Sequence, residues 1–159
     1  MDIRIIGAVI LIAATALLIL TEVAKRAYTH ELASLLEQGE VRAYLALLEK
    51  PLVKLVFPAW NRSFMQLNGY LALDAYGEAD SVIERMLSMR QNDRQRRELV
   101  GKAFNYYLER GNAEGATRLL AEIEAWEDAD AVAEARMMHD IYIKKGWGYI
   151  EDMERRVEG

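Results

Sequence analysis

Four glycines, Gly39, Gly77, Gly111 and Gly146, each close an apolar stretch of helical periodicity, at spacings of 38, 34 and 35 residues. Periods of this size belong to stacked helical hairpins, because one such unit leaves an apolar face that only a neighbour covers. Seven residues before each glycine stand Leu32, Tyr70, Phe104 and His139, and four before stand Leu35, Leu73, Tyr107 and Tyr142. Large residues in these columns draw the inward stripe of a helix. Five after the first three glycines come Tyr44, Val82 and Ala116; nine after come Leu48, Met86 and Leu120; twelve after come Pro51, Met89 and Ile123. A glycine that ends one helix in the left-handed conformation, with another helix starting at once, gives a tight antiparallel pair.

The fourth unit departs from this pattern. Trp147 and Gly148 add two residues at its turn, and counting from Gly148 puts Met153 and Val157 back in register. The rest of that segment is charged, as the open end of a stack requires.

The stretches "NGYLALDAYGEADSVIERML" and "GNAEGATRLL" carry a family likeness. Gly69 and Tyr70 form a small-then-bulky pair, Ala116 is a small residue five after the turn, and Pro58 follows Gly39 by 19 residues. On these residues and the period, the chain over about 24–158 resembles the tetratricopeptide (TPR) repeat family. Two departures stand out: the proline does not recur, and Tyr44 and Val82 occupy the small-residue column. An irregular helical bundle with accidental spacing is the alternative. The resemblance implies an all-α fold of about four stacked antiparallel hairpins. It also implies a ligand face on the first helix of each hairpin, ten, six and three residues before the turn glycine. Those positions are Leu67, Leu71 and Asp74; Gly101, Asn105 and Leu108; and Arg136, Asp140 and Ile143. The implied ligand is an extended or helical protein segment with apolar anchors, held by Leu67, Leu71 and Leu108. Asn105 and Arg136 would orient it, with Asp140 beside them. The Lys/Asn set that clamps a terminal carboxylate in some family members is missing.

The N-terminus is of another kind. Residues 5–21 contain no charge and would make about 26 Å of helix at 1.5 Å per residue. That length crosses a bilayer core of about 30 Å if Arg4 and Lys25 snorkel. A cleaved signal peptide and a buried core helix are the rivals. The Ala14–Ala16 small-x-small site lies inside the run, not after it, and no other segment is apolar on all sides. The expectation is a retained anchor over 1–23 and a repeat domain over 24–159. Lys and Arg are nearly balanced on the two sides, and Lys25–Arg26 tips the repeat domain towards the cytoplasm. Between Ala8 and Gln38 there is neither Gly nor Pro, so the anchor should run straight into the first hairpin. Further helices are expected at 40–49, 59–76, 78–90, 93–110, 112–125, 128–145 and 148–157, with Asn92 or Asp93 and Asp128 as N-caps.

The chemistry is sparse. With no cysteine, thiol nucleophiles, disulfides and cysteine-held metals are excluded. A net charge of -5 argues against a dedicated nucleic-acid binder. The only histidines are His30 and His139, and His139 stands in a column otherwise filled by core residues. "HD" at 139–140 could pair a base with its orienter, but adjacent helical residues point apart. No phosphate loop, nucleophile elbow or metal spacing is present, and Glu122 and Glu124 read as acids on a solvated helix. "RQNDRQRRE" at 90–98 reads as a solvated connection. "PLVKLVFPAW" at 51–60 is apolar for a connection and should pack under a neighbouring hairpin or lie on the bilayer. Met86, Met89, Met137 and Met138 read as core filling.

The expected function is therefore a membrane-anchored, non-catalytic interaction scaffold with a protein partner and no cofactor, metal, small-molecule substrate or nucleic acid. The alternative is a structural subunit of a larger membrane assembly. It would pack through Gly7, Ala8, Ala13, Ala14 and Ala16 of its transmembrane helix.

Overall fold

A computed structural model of the chain describes residues 3–144. Every regular element among the described residues is helical. They are α1 (Ile3–Glu37), α2 (Val41–Leu48), α3 (Pro51–Val56), α4 (Ala59–Ala72), α5 (Tyr76–Leu87), α6 (Asp93–Glu109), α7 (Ala113–Ile123) and α8 (Ala129–Tyr142). The expected features at Gly146, Trp147, Gly148, Met153 and Val157, and the helix at 148–157, lie outside the described residues.

The described backbone falls into two compact units, one up to Met86 and one from Leu87 onward. The domain boundary expected after residue 23 lies within α1, which continues unbroken from the apolar run into the first unit. Ile5–Glu37 is long and apolar enough to cross a membrane, and its apolar window is unburied within the chain.

The first unit is built around the far end of α1. Leu32 joins Tyr44, Leu47 and Leu48 of α2, Val53 of α3 and Phe57 in one buried cluster, with Tyr28 and Leu35 packed against it. Polar groups tie its helices together. Gln66 on α4 donates to the Glu49 carboxylate and accepts from Arg85 on α5 at 3.0 Å. Lys54 on α3 pairs with Glu49 and holds that carboxyl below its ordinary pKa.

In the second unit, Asn92 and Gln95 form a capping box that starts α6. Asn112 and Asp128 cap α7 and α8 through Gly115 N–H and Ala131 N–H. Within the arginine-rich stretch, residues 90–92 form the connection, and Arg94, Arg96 and Arg97 lie in the first two turns of α6. Arg96 makes a bidentate pair with Glu122 on α7 at 2.7 and 2.8 Å, which raises the Arg96 pKa further. Glu122 is a cross-helix partner, where the sequence suggested only a solvated acid.

The left-handed turns do not all fall on the glycines expected from the sequence. Gly39 and Gly111 do take left-handed backbone, with φ of +75° and +66°. Gly77 does not; it lies in the first turn of α5, and the left-handed residue between α4 and α5 is Asp74, at φ +53°. The hydrogen bonds agree. Glu40 N–H bonds Leu35 O at 2.8 Å, Ala75 N–H bonds Tyr70 O at 2.9 Å, and Asn112 N–H bonds Tyr107 O at 2.8 Å. This is the Schellman closure, made three times with the same offsets.

Counted from Gly39, Asp74 and Gly111, the columns sharpen. Seven before stand Leu32, Leu67 and Phe104, all buried; five after stand Tyr44, Ala79 and Ala116; eight after stand Leu47, Val82 and Leu119, again all buried. Val82 thus leaves the small-residue column and Ala79 takes its place.

A stability measurement separates the two registers. Gly77→Ala should raise stability by about 0.5–1 kcal/mol, because Ala is the better helix former and the added Cβ meets no atom within 4 Å. Urea unfolding followed by circular dichroism would report it. A loss of stability would mean that Gly77 needs positive φ after all.

Candidate functional site

Between α6 and α8 the second unit opens a cleft of about 300 Å³. One wall is Gly101, Asn105 and Leu108 of α6, spaced i, i+4, i+7, with Phe104 and Glu109 beside them. The other is Ala131, Ala135, Met138 and Tyr142 of α8, again one helical stripe, with Glu134 at its edge. Ile123, the last residue of α7, and Trp126, in the connection that follows it, complete the lining.

The walls are pinned from outside. Arg96–Glu122 joins the start of α6 to the end of α7. Thr117 on α7 hydrogen-bonds His139 Nε2 on α8 at 2.9 Å. Arg136 on α8 donates to Glu124, the C-cap of α7, at 2.6 Å. The Arg97 guanidinium sits over the Trp126 ring, 5.7 Å from its centroid.

The polar groups at the cleft are few. Asn105 is exposed and offers both amide donors and an acceptor. Glu109 and Glu134 add two exposed carboxylates, and among the described residues no lysine or arginine lines the cleft. Its lining is otherwise dominated by apolar side chains.

Gly101 has no local reason to be glycine. It lies inside a 17-residue helix, its φ is not positive, and an added Cβ would meet nothing within 4 Å. Relative to Ala it costs α6 about 1 kcal/mol. What it provides is room at the cleft wall.

The expected binding residues divide. Gly101, Asn105 and Leu108 come together on one wall, although Leu108 is largely buried and contributes only its edge. Leu67 is fully buried, in the column of Leu32 and Phe104, and presents no surface to a ligand. The register shift at Asp74 explains this: six before Asp74 is Asn68, exposed, in the column of Asn105. Leu71, three before Asp74, keeps its place and is half-buried. Asp74 itself is the turn residue.

On α8, Arg136, Asp140 and Ile143 do not line the cleft. Arg136 is turned to Glu124, and Asp140 to Lys144 at 2.7 Å. Two helices facing each other across a cleft present opposite flanks to it. The same columns of both cannot line one groove.

His139 is buried, and its Nδ1 lies 3.8 Å from Asp140 Oδ1, too far for a hydrogen bond. Among the described residues, no three His, Asp or Glu side chains gather into a group that could hold a metal ion. No protein-family model, no curated protein and no solved structure matches this chain.

Proposed function

We propose that the chain is a membrane-anchored, non-catalytic interaction scaffold of TPR-like hairpins, whose α6–α8 cleft takes an extended or helical segment of a partner protein. The observation that carries this reading is Gly101, a helix-weakening residue whose absent side chain leaves space in an apolar-lined cleft. Phe104, Ile123 and Met138 supply the apolar surface against which a partner's anchor residues pack. Asn105 serves a backbone amide or carbonyl of the segment, and Glu109 and Glu134 favour a segment that carries lysine or arginine. The anchor is α1, and the Lys25–Arg26 pair favours a cytoplasmic repeat region.

Plugging the space tests the reading without disturbing the fold. Gly101→Trp enters open room and improves helix propensity, so circular dichroism should be unchanged. Full-length protein is used as bait in mild detergent, and recovered proteins are quantified by mass spectrometry. At least one partner recovered with wild type should fall about tenfold with the variant, the effect of removing roughly 1.4 kcal/mol of binding. Undiminished recovery of every partner would remove the cleft from consideration.

The structural-subunit reading rests on a different observation: residues 5–20 of α1 are exposed throughout, so their apolar surface has no cover within the chain. Under that reading, partners are lost when the anchor is replaced by an unrelated transmembrane helix and are untouched by Gly101→Trp.

A further inference from the structure

Leu52 and Leu55 are 61% and 76% exposed, outside the apolar run of α1 yet on the unit that α1 belongs to. Both sit on α3, and their exposure follows from how α3 is fixed. Pro51 starts the helix at its first position, and Val53 and Phe57 are buried against Leu32 and the α2 leucines. Lys54 is held by Glu49, and its carbonyl accepts from Arg62. With that flank and the inner face occupied, the leucines one turn apart are held outward.

We infer that α3 lies on the surface of the membrane that α1 spans, with Leu52 and Leu55 set into the boundary between head groups and acyl chains. The inference rests on the membrane-anchored reading of α1. Its occupant is the lipid itself, for three reasons.

The first is continuity. The cluster that holds Val53 of α3 and Phe57 is centred on Leu32 of α1 and reaches down to Tyr28, whose level is seven residues after Thr21, about 10 Å along the helix. Packed helices lie about 8–10 Å apart, so an ordinary tilt of about 20° towards α3 lowers it by about 3 Å. That leaves the lower edge of this packing about 7 Å above the hydrocarbon edge, within a head-group zone about 5–8 Å deep.

The second is charge. Arg26 on α1 and Lys50 at the N-cap of α3 are exposed and have no acidic partner among the described residues. Cations flanking exposed leucines are the pattern that anionic lipid surfaces attract.

The third is size. Two leucines on a six-residue helix are far short of the roughly 800 Å² per side that a stable protein interface buries. A lipid surface needs no such area.

The chain has no cysteine, so single cysteines can carry an environment-sensitive fluorophore at defined places. Full-length L55C, A14C and D80C would be reconstituted in vesicles of phosphatidylcholine with one-fifth phosphatidylglycerol. Nitroxide lipids would quench from head-group or mid-chain depth. Ala14 lies in the anchor, and Asp80 is exposed on α5. The L55C probe should be quenched by head-group nitroxide at least about twofold more than the D80C probe, with blue-shifted emission. A14C should be quenched from mid-chain depth.

If L55C matches D80C while A14C is quenched, the surface contact is overturned and the anchor stands. If A14C is also unquenched, the anchor reading falls, and this inference with it. Self-quenching at L55C that grows with the protein-to-lipid ratio would assign the face to a second copy and overturn the lipid assignment.

Discussion

Ala24→Pro should raise the exchange rate of the amides around residues 21–28 about 100-fold. In the native chain those amides should be strongly protected, although Val23, Arg26 and Ala27 are exposed and little packs around them. Protection there comes from continuity. The apolar run below is held helical, because an unpaired backbone group in hydrocarbon costs several kcal/mol. Tyr28 and Leu32 above are fixed in the core of the first unit. Helix formation is limited by its nucleus, and here a nucleus stands at each end of the short exposed stretch, so only propagation is needed between them. Proline removes the bond from residue 24 to residue 20 and clashes with that turn, a penalty of about 3 kcal/mol or more. Hydrogen–deuterium exchange in vesicles checks both halves. Native amides at 21–30 that exchange as fast as an unstructured peptide would remove the continuous stalk.

That continuity was legible in the sequence because it depends on composition alone, 31 residues from Ala8 to Gln38 without a helix breaker. The helices of the second unit were legible for a related reason: their caps are local. Asn92 and Asp128 each act on an amide three residues away, and the chain displays both partners in order.

What was hidden depends on a choice between neighbours. In "LALDAYGE" both Asp74 and Gly77 tolerate positive φ, and glycine is the default when the backbone is not seen. Asp74 takes the turn, and its carboxylate accepts from the Tyr76 hydroxyl at 2.7 Å. The shift of three residues moved Leu67 from the groove to the core and brought Asn68 into the Asn105 column. The signal that could have found it was the small-residue column, where Ala79 fits beside Ala116 and Val82 does not.

The helix α3 was hidden because six residues are too few to show a period, and its one local sign was Pro51 at the first helical position. The pairing of Arg96 with Glu122 spans 26 residues, and no local pattern carries it. Opposite flanks across the α6–α8 cleft were beyond reach for the same reason: they follow from how two helices face each other.

Gly115 and Gly69 make a matched pair for the last test, since both are buried helical glycines. A Cβ on Gly115 would lie 2.7–2.9 Å from ring atoms of Tyr107. That ring is buried in α6, the helix that α7 packs on, and a planar ring has no flexible end to turn aside. Gly115→Ala therefore sets an overpacking cost of about 1–3 kcal/mol against a helix-propensity gain of about 1 kcal/mol. The net result should be a loss of up to about 2 kcal/mol in the second unit. A Cβ on Gly69 also comes to 2.7 Å, but of Leu45 Cδ2, the free end of a half-buried side chain, with Leu45 Cγ at 3.0 Å and the buried Tyr44 ring at 3.2 Å. Leu45 can change rotamer and the Tyr44 ring need give only a few tenths of an ångström, so Gly69→Ala should cost less than Gly115→Ala, within about 1 kcal/mol of the native chain. Urea unfolding of both variants measures the difference. A double-mutant cycle with Tyr107→Leu assigns its cause: the Gly115→Ala penalty should shrink by about 1 kcal/mol once the ring is gone. If Gly115→Ala costs the same with and without the ring, the close approach of α6 and α7 at Tyr107 is not what requires glycine there.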